Sequence, residues 1–248
     1  MNKEQEYDDL CRRIWDFYAS RATELGKSLE LDLSKLMLPP SPRDKPIAVL
    51  FVGLSPSRDP KTEHWFGETL RKAKDGARAR DYNDFPTYYG PLLKIAKLAD
   101  PKLGFWNEDS ERLIEFTDLC HWPVQRTSEL PHRRVRRNRE LLKLFKRHPD
   151  VRDHCKATLK KELRLYKPEV VVCNGSETSK GVWEIWGEPG DFDPSKQRPF
   201  FWCRDLRCTF HLSGFLTPPR PLDVYNRRRL ADELHTALNR RSSTPRWE

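Results

Sequence analysis

Many of the usual identifying signals are absent from this sequence. Its six cysteines (Cys11, Cys120, Cys155, Cys173, Cys203 and Cys208) contain no C-x-x-C pair. Scattered in this way they read as reduced thiols, several of them buried, and not as a disulfide framework. Cys203 and Cys208 with a histidine match no common ligand spacing, so no metal site is expected, and nothing points to a cofactor. There is no Walker-type or G-x-G-x-x-G phosphate loop and no internal repeat. No apolar run reaches membrane-spanning length, and the start, "MNKEQEYDDLCRRIW", lacks the apolar core of a signal peptide. The expectation is a cytoplasmic protein with no membrane partner, a monomer being favoured.

What is present is a soluble composition with a strong positive surplus. The 248 residues are 37% hydrophobic and 33% charged, enough for a sizeable core. The formal charge of +9 favours a polyanionic partner. That charge is concentrated in "HRRVRRNRELLKLFKRHPD" (132–150), with further basic runs at 226–230 and 239–241. Arg133, Arg134, Arg136, Arg137 and Arg139 are nearly contiguous and would repel one another without an anion nearby. Arginine is also the residue suited to forked phosphate contacts. A nucleic-acid backbone is the expected partner.

Patterning predicts apolar strands alternating with helices. Helices are expected over 3–25, 87–100, 138–147, 150–166, 179–187 and 222–238. Strands are expected over 47–52, 112–119 and 168–175. A final strand or strand pair lies within 199–214 and turns at Arg204–Asp205. Residues 1–46 form an N-terminal helix and a proline-rich connector packed on a 47–240 domain, and 241–248 a flexible tail. This is an α/β pattern: a three-layer α/β/α sandwich around a short, mainly parallel sheet. In such sheets ligands bind beyond the carboxyl ends of the strands. Those ends carry "GLSPS", "DLCH", "NGS" and "HLSG".

In that order, these motifs resemble the uracil-DNA glycosylase superfamily over roughly residues 45–240. "GLSPS" (53–57) stands in the place of the family's G-x-N-P or G-x-D-P loop, with Gly53 and Leu54 against the base. "HWFGE" (64–68) supplies Phe66 as the aromatic that stacks on a flipped base. "EFTDLCHWP" puts Asp118 at the base-reading position, and "KPEVVVCNGSE" carries Asn174 at the third strand end. "FHLSGF" (210–215) takes the place of the closing H-P-S motif. The resemblance implies a glycosylase-like α/β/α fold, double-stranded DNA as partner and a flipped base. The reaction it implies is hydrolysis of the N-glycosidic bond, with no cofactor.

The residue types suit that chemistry. Cleavage builds positive charge on the sugar and negative charge on the departing base, and His211 is the candidate to hydrogen-bond the leaving base. A group in the first loop must place the water. Ser55 occupies the family's Asn/Asp position but is a weak base, and Asp59, four residues on, is the alternative. Either residue, a purely positioning mechanism, or lost activity remains open. Asp118 departs from the asparagine that reads uracil. An ionised carboxylate only accepts hydrogen bonds and so suits the amine of cytosine, whereas a protonated one would serve uracil. The lean is to a 5-modified cytosine, since the resemblance includes bacterial anti-phage glycosylases that remove glucosylated 5-hydroxymethylcytosine. The alternatives are a uracil or damaged-base repair enzyme, or an inactive nucleic-acid binder of the same fold.

In the family the loop after the closing histidine wedges into the duplex, which makes Leu212, Phe215 or Leu216 candidates for insertion. Ser57, Ser213, Thr217 and Arg220 are candidates for phosphate contacts. Arg133, Arg134, Arg136 and Arg137 would hold DNA beside the pocket. A lyase mechanism would need a lysine at these strand ends, and none is obvious.

Overall fold

The structure is a computed structural model that describes residues 2–29, 36–53, 66–74, 86–105, 110–121, 145–186, 200–214 and 224–239. Its elements, in chain order, are α1 (Lys3–Leu29), β1 (Ile47–Gly53), α2 (Phe66–Lys74) and α3 (Pro86–Ala99). Then come β2 (Leu103–Gly104), β3 (Arg112–Asp118), α4 (Pro149–Tyr166) and β4 (Val170–Cys173). The chain closes with α5 (Ser176–Trp186), β5 (Phe200–Cys203), β6 (Cys208–Leu212) and α6 (Val224–Asn239). Of the helix expected over 138–147, only 145–147 fall among the described residues, and these are helical. The tail 241–248 lies outside them. No helix of the described residues is long and apolar enough to cross a membrane.

The fold is α/β, with a six-stranded sheet in the order β2-β3-β1-β4-β6-β5. β2 runs parallel to β3, β1 to β4 and β4 to β6, while β5 is antiparallel to β6. The final strand pair is therefore a hairpin, and its turn spans 204–207, closed by Arg207 N–H donating to the Arg204 carbonyl at 3.3 Å. β1 and β4 are buried along their whole length, which is why both read as unbroken apolar runs and not as alternating ones.

The chain divides into two compact units, each assembled from separate stretches. The first contains Met1–Pro42, Gly53–Gly76 and Asp118–Leu165; the second contains Arg43–Val52, Ala77–Thr117 and Tyr166–Glu248.

In the second unit, helices lie on both faces of the sheet. Val49, Phe51, Ile114, Phe116, Val170 and Val172 share one core with Leu92, Ile95 and Ala96 of α3. Leu230, Leu234 and Leu238 of α6 close the same core. Within it Phe51 stacks on Phe116 at 5.2 Å, and Tyr89 meets Phe116 edge-on at 4.8 Å. The other face carries Phe201 stacked on Phe210 at 5.0 Å, covered by Trp183 and Trp186 of α5. Alternation along β6 separates the two sides: Phe210 faces α5, and its neighbour His211 faces α6. At the start of β3, Arg112 bridges Asp100 at 2.9 Å and Glu169 at 2.6 Å, so the strand entry is fixed by a forked cation.

The first unit is helical at its centre. α1 and α4 meet through Phe17, which stacks face to face on His154 with centroids 3.7 Å apart. Arg21 pairs with Asp150 at one end of the contact. The proline-rich connector is held to α1 where the Tyr7 hydroxyl donates to the Pro39 carbonyl at 2.8 Å. α2 is tied to α1 by Lys74, which bonds both Glu4 and Asp8; the bond to Asp8 pushes the Lys74 pKa up.

All six cysteines are free and buried. Burial pushes the Cys11 thiol up to about 12 and moves those of Cys173 and Cys208 upward as well. Such thiols behave as small apolar side chains.

Candidate functional site

In the second unit the carboxyl ends of three parallel strands are in register, with Val52 opposite Cys173 and Cys173 opposite Leu212. Beyond that line the chain turns sharply. Asn174 N–H donates to the Val52 carbonyl at 2.8 Å, and Gly175, at φ 115°, makes the bend into α5. Its N–H reaches the Ser213 carbonyl at 3.3 Å, and the Ser179 hydroxyl donates to the same oxygen at 3.0 Å. These bonds draw together four residues singled out in the sequence: Asn174, His211, Leu212 and Ser213. Asn174 is buried, and Leu212 and Ser213 are half-buried beside the exposed Gly214.

His211 is the most informative of the four. It is only 2% exposed. Neither its Nδ1 nor its Nε2 has a hydrogen-bond partner among the described residues. Its Nδ1 is 3.5 Å from the Glu233 carboxylate of α6, and the same carboxyl group is 3.5 Å from Arg229. The ring lies 5.8 Å from that of Phe200, its partner across the hairpin. A buried polar group left unpaired costs about 1–3 kcal/mol. The Glu233 carboxylate faces Nδ1 without bonding to it, and Nε2 lacks a partner among the described residues.

In the first unit, Asp118 ends β3 with 9% of its surface exposed. The next residue, Leu119, donates its N–H to the Gly53 carbonyl at 2.9 Å, which brings those two predicted strand ends together. The chain after Asp118 is pinned at each step. The Tyr18 hydroxyl is 3.4 Å from both Cys120 Sγ and Cys155 Sγ. His121 Nε2 meets Glu162 Oε1 at 2.6 Å in full burial, and the His121 carbonyl accepts from Met37 N–H. Phe66 opens α2 with its ring 5.6 Å from that of Trp15, and the Arg12 guanidinium lies 4.8 Å over it.

The remaining candidates lie outside the described residues. These are Leu54, Ser55, Ser57 and Asp59 in the first loop, Arg133, Arg134, Arg136 and Arg137 in the basic run, and Phe215, Leu216, Thr217 and Arg220 after β6. Among the described residues no three His, Cys, Asp or Glu side chains gather as a metal-ligating group.

Two polar groups escaped the sequence reading. Glu233 sits in the charged helix "NRRRLADEL", where nothing marks it as a partner of His211. Glu162 carried a signal: it falls on the α4 face that also buries Val151, Cys155, Thr158, Leu159 and Tyr166, making it the lone acid in an apolar stripe. No protein-family model matches the chain, and no curated protein matches it.

Proposed function

We propose that this protein is a monofunctional DNA N-glycosylase of uracil-DNA glycosylase-like fold, acting on a base flipped from duplex DNA. The observation that carries the reading is His211, a buried imidazole at the end of a central parallel strand, with a carboxylate near Nδ1 and no hydrogen-bond partner for Nε2 among the described residues. Glycosidic cleavage needs such a group, because the departing base gains negative charge that a preorganised donor stabilises. A base reaching it would approach from the side of Ser213 and Gly214, where the strand emerges.

The remaining roles follow from residue chemistry. Asp118 reads the base edge; as a carboxylate it accepts from the amine of a cytosine, and this favours cytosine over uracil, while the 5-substituent rests on the family resemblance alone. Asp59 or Ser55 places the water. The basic run around Arg133–Arg137 and the +9 charge supply the phosphate attraction. The resemblance to anti-phage glycosylases implies the biological setting, removal of glucosylated 5-hydroxymethylcytosine from phage DNA by a cytoplasmic, monomeric enzyme. Ser55, a weak base where the family has Asn or Asp, favours the second reading: a DNA binder of the same fold without activity.

The test is incubation with duplexes carrying uracil, 5-hydroxymethylcytosine or its glucosylated form, scored for abasic sites. The expected product comes from the modified cytosine. His211→Ala is expected to slow excision by about 10²–10⁴ with binding retained, and Asp118→Asn to move preference toward uracil. Binding without abasic product from any duplex would establish the inactive binder instead.

A further inference from the structure

The groove between α1 and α4 in the first unit carries chemistry that base excision does not use. It is an open groove of about 370 Å³, within the size range of small-molecule sites. α1 contributes Leu10, Arg13 and Phe17, and α4 contributes His154, Ala157 and Lys161. The floor is apolar and aromatic, formed by Leu10 and the Phe17–His154 stack, with the exposed Ala157 at its edge. The rim is cationic. Arg13 and Lys161 have no carboxylate within ion-pair distance among the described residues, although Asp16 also lines the groove.

We infer that this groove is a second ligand site, which takes a small organic phosphate with its phosphoryl group between Arg13 and Lys161 and its compact body on the Phe17–His154 floor. Two cations facing one groove repel each other, and an anion between them relieves the repulsion. Consistently, the Lys161 pKa is lowered, first by burial and then by the Arg13 charge. Arginine supplies a forked contact to phosphate oxygens, and lysine a point charge. His154 donates no charge, because burial holds it neutral, with its pKa at about 4. Its Nε2 is 3.4 Å from the Thr158 hydroxyl, a second lining residue able to turn a polar atom toward a ligand. Asp16 repels a phosphoryl group but accepts from hydroxyls, which favours an ester with a polyhydroxyl or sugar body over a bare anion.

The test uses the full chain in calorimetry with thymidine 5′-monophosphate, thymidine and inorganic phosphate, and with an unphosphorylated DNA duplex. The nucleotide is expected to bind at least about tenfold more tightly than either thymidine or phosphate alone. Arg13→Gln and Lys161→Gln, both at exposed positions, are each expected to weaken it by about tenfold, the scale of one charge-assisted contact. Ala157→Trp, which fills the groove and leaves the charges intact, is expected to abolish binding. Circular dichroism checks its fold, and the two glutamine variants carry the test if it fails to fold. Thymidine or phosphate matching the nucleotide would overturn the inference, as would indifference to both glutamine variants. No heat from the nucleotide at millimolar concentration would do the same. Equal loss of duplex and nucleotide binding in Lys161→Gln would assign the groove to strand phosphates and refute a small-molecule site.

Discussion

Acidification offers a direct test of the α1–α4 contact through His154. In the folded protein burial is the main reason this imidazole stays neutral, with the charges of His121 and Lys161 adding to it and Asp150 opposing. Its pKa falls from 6.5 to about 4. The unfolded chain therefore binds the proton first as pH drops. The His154 contribution is complete above pH 6.5, declines as pH falls toward 4 and levels off below that. At about 1.4 kcal/mol for each tenfold change in proton concentration, the full effect is about 3 kcal/mol. The ring is only partly enclosed, and screening reduces this to about 2 kcal/mol. Urea unfolding of the wild type and of His154→Gln at pH 7 and pH 4.5 isolates the term, because glutamine never ionises and carboxylates elsewhere cancel in the comparison. The wild type is expected to lose about 1.5 kcal/mol more than the variant across that interval, which covers most of the titration. Proton NMR of the ring gives the pKa separately. Equal losses in the two proteins, or a ring that titrates near 6.5, would refute the claim that burial keeps His154 neutral.

Two further predictions concern the second unit. Arg112→Leu removes the forked cation that pairs with Asp100 and Glu169 and should lower stability by about 2–4 kcal/mol, read as a lower urea midpoint with an unchanged slope. Gly175→Ala places a Cβ on a backbone at φ 115° and should cost about 1–3 kcal/mol in thermal unfolding.

Much of the second unit was legible because its signals are local. β1 and β4 are continuous apolar runs, and the hairpin turn announced itself as "CRDLRC" between two apolar segments. Boundaries slipped where local preference pointed elsewhere. The helix expected from 179 starts at Ser176, because "SET" reads equally well as a cap or a turn. α1 runs to Leu29, past Gly26, where a C-terminal stop was expected. β2 is two residues long, too short for any periodicity. α2 did carry a weak stripe in Phe66, Leu70 and Ala73, but nine residues are fewer than a helix pattern needs to stand out.

The site divides along the same line. Asn174 and Ser213 were readable as polar residues just past apolar strands, and His211 as one near the end of its strand, where a parallel sheet gathers its ends. Glu233 was not, because its meeting with His211 depends on how α6 lies across the sheet. The pair formed by His121 and Glu162 likewise joins residues 41 apart in the chain through tertiary packing alone.

The antiparallel hairpin also governs which changes in chain length the protein can absorb. β6 takes its register from the parallel ladder with β4, in which Val172 faces His211, and not from the turn that precedes it. An insertion within 204–207 therefore displaces only β5, an edge strand, and leaves the histidine pointing at α6. A single deletion between Cys208 and Phe210 would exchange the two sides of β6, sending the imidazole toward Trp186 and Leu212 toward Glu233. Length variation among natural descendants of this chain should accumulate in the four turn residues and stop at Cys208.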